Sequence, residues 1–115
     1  MMNDLLTKTA CEITQLLAAK EIKPTELVEI SAERISEVEP HINAMPTLCV
    51  EKALDRAKEI EDNPPDTDHV RGWLGGVPIS IKDLMETAGV RTTFGSPIYA
   101  AVSYTHLTLP TTPYV

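Results

Sequence analysis

The chain has 115 residues, enough for about one small domain that buries roughly two-thirds of its unfolded surface. Its hydrophobic share of 43% is that of an ordinary globular protein, which excludes wholesale disorder. Ten basic against seventeen acidic residues leave a net charge of −7, a balance that argues against nucleic acid or an anionic membrane as the main partner.

The start, Met1-Met2-Asn3-Asp4, is acidic and no long apolar run follows it, so neither a signal peptide nor a membrane span is predicted. Thr9-Ala10-Cys11-Glu12 has the form of a capping box, and Ile13, Leu16 and Leu17 follow at helical spacing to about Lys20. Pro24 suits a first helical position. After it Leu27, Val28, Ser31, Ala32, Ile35 and Val38 repeat at three- and four-residue steps, with Glu26, Glu29, Glu33 and Glu37 on the polar face. This helix is expected to end at Pro40. His41-Ile42-Asn43 reads as a turn, and Ala44–Val50 as a short extended segment interrupted by Pro46. A third helix, near Glu51–Asp62, carries Ala53, Leu54, Ala57 and Ile60 on one side and stops at Asn63-Pro64-Pro65-Asp66.

The period then changes. Gly72, Gly75 and Gly76 make a permissive loop, after which Val77, Ile79 and Ile81 alternate with Pro78, Ser80 and Lys82 as in a strand. Pro78 belongs near its start or on an edge. Helices followed by such a strand point to an α/β fold. Cys11 and Cys49 stand apart, with no paired spacing, and read as reduced thiols filling a core in a cytoplasmic protein. His41, His69 and His106 lack metal-ligand spacing and read as surface or loop histidines.

Lys82 shares a face with Ser80 and sits where the strand gives way to Asp83-Leu84-Met85, the end of a strand at which open α/β sheets hold ligands. From spacing alone, such a lysine is a solvated surface charge. Asp83 is suited to orient the turn after Lys82 through side-chain to backbone hydrogen bonds, a role a purely structural aspartate also fills. Thr92-Thr93-Phe94-Gly95-Ser96 by itself is a polar turn.

Together these residues resemble the amidase signature family. Gly76-Val77-Pro78-Ile79-Ser80-Ile81-Lys82-Asp83, then Thr87-Ala88-Gly89-Val90, then Thr92-Thr93-Phe94-Gly95-Ser96 match its Gly-(Ile/Val)-Pro strand, Lys-Asp, Ala-Gly and Thr-Thr-x-Gly-Ser. Pro24–Val28, Arg34-Ile35 and Ile42-Asn43-Ala44 are similar to its helical amino-terminal region, so the likeness spans about residues 9–100. It implies amino-terminal helices leading into the first strands of a truncated mixed sheet. It also implies hydrolysis of a carboxamide C–N bond through a Ser–Ser–Lys arrangement, without metal or organic cofactor, with Lys82 as the general base. A lysine acts as a base only where desolvation brings its pKa from about 10.4 to roughly 7–8. Ser80 and Ser96 do not occupy the family's nucleophile position, and the Gly/Ser-rich segment with both catalytic serines and the oxyanion amides is not among these residues.

Every Asp, Glu, Lys and Arg lies at or before Arg91, whereas all three tyrosines lie after it. Residues 101–115 are similar to peptides translated from sequencing-adapter DNA, and are expected to be a poorly ordered, non-native tail after an amidase portion at 1–100. The chain is thus expected to be inactive by itself, and its parent to act on a small-molecule amide with no nucleic-acid or membrane partner. Two other readings stay open. One is an amidotransferase component that works on the glutaminyl or asparaginyl precursors of charged tRNA. The other is an acidic helical interaction module in which Lys82 is an ordinary surface residue.

Overall fold

The computed structural model describes residues 3–64, 73–85 and 88–101. Four α-helices come first: α1 (Asn3–Leu6), α2 (Ala10–Ala18), α3 (Pro24–Ile42) and α4 (Val50–Asp62). A 3₁₀ turn at Pro97–Tyr99 is the last element among the described residues. The chain divides into two compact units, one made of residues up to Ile79 and one beginning at Ser80.

Local chemistry accounts for the helix starts. Thr9 Oγ1 accepts from the Glu12 N–H at 3.2 Å while the Glu12 carboxylate accepts from the Thr9 N–H at 2.7 Å, so two amides left free at the start of α2 are satisfied reciprocally. The Thr9 N–H, joined by the Thr9 hydroxyl, holds the Glu12 carboxyl below its ordinary value. In α3, Pro24 stands at the first helical position, and the Lys23 N–H donates to Glu26 Oε2 at 3.1 Å. The next free amide is met from a distance. The Thr25 N–H donates to Glu61 Oε1 at 3.0 Å, so the last turn of α4 caps the first turn of α3.

Proline 40 does not end α3. The helix runs on to Ile42, because proline withdraws only its own N–H from the ladder and the later amides still find acceptors. The Asn43 N–H closes the last turn on the Glu39 carbonyl at 2.8 Å, and Asn43 takes the left-handed conformation (φ 48°) that commonly ends helices. The turn expected at His41-Ile42-Asn43 is therefore helix followed by cap. Ala44–Cys49 is irregular, not extended, and the Met45 N–H ties it back to Glu39 Oε1 at 2.7 Å.

Two apolar clusters hold the helical unit together. Ile13 and Leu17 of α2 pack with Leu27 of α3, flanked by Leu5, Ile22, Trp73 and Val77. Val28 of α3 packs on Ala53 and Ala57 of α4, where the small side chains allow close approach of the two helices. Ile30 is also buried, although the periodicity points to Ser31 at that turn. Neither cysteine fills this core: Cys11 is exposed on α2, Cys49 is half-buried, and neither is joined in a disulfide among the described residues. The polar face of α2 turns Cys11 outward, since Ile13 and Leu17 claim the buried stripe.

The loop after Trp73 approaches α3 closely. Gly76 has φ +101°, and a Cβ there would lie 2.6 Å from Pro24 Cβ, so glycine is required both by conformation and by space. Gly75, at φ +65°, likewise lies under the Trp73 ring.

The strand expected over Val77–Ile81 does not form. Among the described residues there is no strand, only single bridge residues at Ile79, Ala88 and Arg91. An alternating segment becomes a ladder only with neighbouring strands to take its amide and carbonyl groups, and none is present among the described residues. Gly72, His69, Thr87 and the expected tail beyond residue 101 lie outside the described residues. No helix among the described residues is long and apolar enough to cross a membrane.

Candidate functional site

The second unit is built around the Lys82–Met85 turn, which the Met85 N–H closes on the Lys82 carbonyl at 3.0 Å. Asp83 lies inside that turn and reaches across the chain to the Thr-Thr-x-Gly segment. Its Oδ1 accepts from the Thr93 N–H at 2.7 Å, and its Oδ2 accepts from the Gly95 N–H at 3.1 Å and from the Thr93 hydroxyl. Thr92 holds the other end of the turn, its hydroxyl donating to the Met85 carbonyl at 3.2 Å.

Such convergence needs an unusual backbone. Phe94 and Gly95 both have positive φ, 52° and 73°, and the Ser96 N–H donates to the Thr93 carbonyl at 2.9 Å. Positive φ at both central residues is the mark of a type I′ turn, which glycine favours at its second position. The turn lets the Thr93 and Gly95 amides meet the same carboxylate. Phe94 then packs edge-on against Tyr99 with ring centroids 5.5 Å apart, and the Ser96 hydroxyl accepts from the Ile98 N–H at 3.4 Å to start the 3₁₀ turn.

The donors leave Asp83 strongly favoured as a carboxylate. The Thr93 hydroxyl, followed by the Thr93 N–H, pulls its carboxyl below the ordinary range; partial burial opposes this, and the Gly95 and Phe94 amides add to the lowering. A carboxyl whose folded value is lowered stabilises the fold above its unfolded value of about 3.9, and that contribution is lost as pH falls through the folded value. Acidification from neutral pH is therefore expected to open the Asp83 contacts only below about pH 4. Amide exchange of Thr93 and Gly95 measures this, and protection already lost well above about pH 4 would contradict it.

Lys82 itself is exposed, with its backbone held and its side chain free of any ion pair among the described residues. Ser80 is exposed and Ser96 is half-buried. Sequence reasoning placed Asp83 in a local turn but missed its partners, which lie 10 and 12 residues away. The pairing of an acidic residue after the lysine with a later Thr-x-Gly was the signal available.

Elsewhere, a cavity of about 470 Å³ in the first unit is lined by Leu17, Ile22, Pro24, Ile60, Glu61 and Trp73 among others. Among the described residues its lining holds no serine, threonine, cysteine or histidine, and the carboxylate at its wall, Glu61, is bonded to Thr25. Among the described residues no group of His, Cys, Asp or Glu side chains is placed to hold a metal ion.

The Amidase family profile matches residues 26–106, a span that includes α4, most of α3, the lysine turn and the clustered threonines. The chain belongs to the amidase family. Among curated relatives it is 45% identical over 94 residues to a glutamyl-tRNA(Gln) amidotransferase subunit from Heliobacterium modesticaldum, covering 82% of this chain and 19% of the relative. The corresponding subunits from Cutibacterium acnes and Persephonella marina are 41% and 37% identical over 95 residues, each alignment covering 83% of this chain and 19% of the relative. The chain thus spans about a fifth of the length of these relatives. No solved structure matches it. The amidase match spans both Lys82-Asp83 and Thr92–Gly95, the two segments that the Asp83 hydrogen bonds join.

Proposed function

We propose that this chain is the amino-terminal portion of an amidotransferase subunit of the amidase family, which releases ammonia from a carboxamide donor for transfer to a charged tRNA. The observation that carries this reading is the 45% identity, over most of the chain, to a relative bearing that name. It favours the amidotransferase alternative over a simple amidase. On this reading a charged tRNA and companion subunits are partners of the parent, in place of the small-molecule amide expected as its only one. The small-molecule amide is then the ammonia donor. A cytoplasmic location follows from the same reading, because tRNA charging and translation occur there.

In this proposal Lys82 is the general base. A serine supplied by chain beyond these residues attacks the carboxamide carbon, its proton passes through a second serine to the Lys82 amine and back by the same route to the leaving nitrogen, and ammonia departs as the acyl-enzyme forms. Water then hydrolyses the acyl-enzyme. Backbone amides of the Gly/Ser-rich segment stabilise the oxyanion. Residues 1–100 form the helical entry to that domain, and Val77–Ile81 completes its strand once neighbouring strands of the parent supply the ladder. The 115 residues alone, which include no such Gly/Ser-rich segment, have no covalent route to the product.

The decisive assay uses the full-length parent with its companion subunits. Glutamine-dependent conversion of misacylated glutamyl-tRNA, with glutaminase activity stimulated by the tRNA, is expected. Rapid hydrolysis of simple amides with no tRNA amidation would return the function to a free-standing amidase.

A further inference from the structure

Lys82 and Asp83 are adjacent and oppositely charged, yet the carboxylate is turned onto Thr93 and Gly95 and makes no ion pair with the lysine. We propose that Asp83 and Thr93 form a positioning clasp that fixes the backbone presenting Lys82 and keeps the neighbouring carboxylate away from its amine. This inference rests on the reading of Lys82 as the general base.

Three features converge on the clasp. Both oxygens of Asp83 are taken by donors from one short segment, so the carboxylate has a single orientation. The turn is held at its far end as well, by Thr92, which is 2% exposed and bonded to the Met85 carbonyl. The donors depend on positive φ at Phe94 and Gly95, a conformation that a non-glycine residue such as Phe94 keeps only where its surroundings enforce it. Side chains that must act within a fraction of an ångström are commonly held by such supporting contacts.

The clasp also has an electrostatic consequence. A carboxylate free to pair with a lysine stabilises the ammonium and so opposes its use as a base. With Asp83 occupied by Thr93 and Gly95, that pairing is prevented without removing the charge. The other titratable groups among the unit's described residues are Arg91, which donates to the Ala100 carbonyl at 3.3 Å, and Tyr99, whose ring packs on Phe94.

The test is carried out in the full-length parent with glutaminase turnover as the readout. Thr93→Val removes the hydroxyl while keeping the shape. It is expected to lower kcat by about 10–100-fold with KM within about twofold, as a small misplacement of a reacting group does. It should also move the acid limb of the rate profile to higher pH, because the released Asp83 can pair with Lys82. Thr93→Ser keeps the hydroxyl and recovers most of the rate. Adding Asp83→Asn to Thr93→Val removes the upward displacement of the acid limb without restoring kcat. Where Thr93→Val does not fold, Asp83→Glu serves, since its extra methylene spoils the fit while the charge remains and the same upward displacement is expected. An unmoved acid limb with unchanged kcat in either variant overturns the clasp. Lys82→Ala run alongside separates the two ideas: a dead Lys82→Ala with a normal Thr93→Val rejects only the clasp, and an active Lys82→Ala rejects the base.

Discussion

Replacing Lys82 by alanine in the full-length parent is expected to lower amide turnover by roughly 10²–10⁴-fold, the usual effect of losing a general base. Lys82 aligns with the lysine of the amidase pattern, and its backbone lies in a turn tied down by Thr92, Thr93 and Gly95. Its side chain is exposed among the described residues, so for the proposed role as base the required desolvation is expected from the rest of the parent domain. Position is thus local and reactivity is global. The loss should fall on kcat more than on KM, because the base acts in the transition state while substrate binding uses other groups. Lys82→Arg should fare no better, since a guanidinium stays protonated at any working pH. Turnover within a few-fold of the unaltered protein in Lys82→Ala would remove the residue from the mechanism.

Leu27→Ala is expected to destabilise the helical unit by about 2–5 kcal/mol, the range for emptying a buried leucine site. Leu27 is 2% exposed and stands where Ile13 and Leu17 of α2 meet α3, so its loss leaves a void between the two helices. The site can collapse only in part, because Val28 on the next position is committed to Ala53 and Ala57 of α4. Small domains are stable by only about 5–15 kcal/mol in total, so a loss of this size removes much of the margin. Urea titration followed by helical circular dichroism measures it. Leu48→Ala, at a leucine that is 51% exposed, provides the comparison and should change stability by no more than about 0.5 kcal/mol. Equal midpoints for the two variants would show that the cluster around Leu27 does not carry the fold.

Much of the helical unit is legible in the residues alone, because its signals are local. A capping box needs only Thr9 and Glu12 three positions apart, and the apolar face of α4 needs only the spacing of Ala53, Ala57 and Ile60. The amidase family is equally legible, since Gly76–Asp83 and Thr92–Ser96 are short patterns in fixed order. What requires the tertiary structure involves partners far apart in the chain. Glu61 caps α3 through Thr25, 36 positions away, and no local rule pairs them. Pro40 reads as a stop, but the amides beyond it find carbonyls in the helix already formed. Alternation at Val77–Ile81 signals a strand, yet period alone cannot supply the neighbouring strand that makes a ladder. Asp83 shows the division most clearly. Its place beside Lys82 is written in the sequence, whereas its attachment to Thr93 and Gly95 depends on two consecutive left-handed residues, Phe94 and Gly95, which let the Thr93 and Gly95 amides meet one carboxylate. Side-chain spacing decides which face of a helix is buried, but closure of a loop on a distant acceptor is decided only when the chain has folded around it.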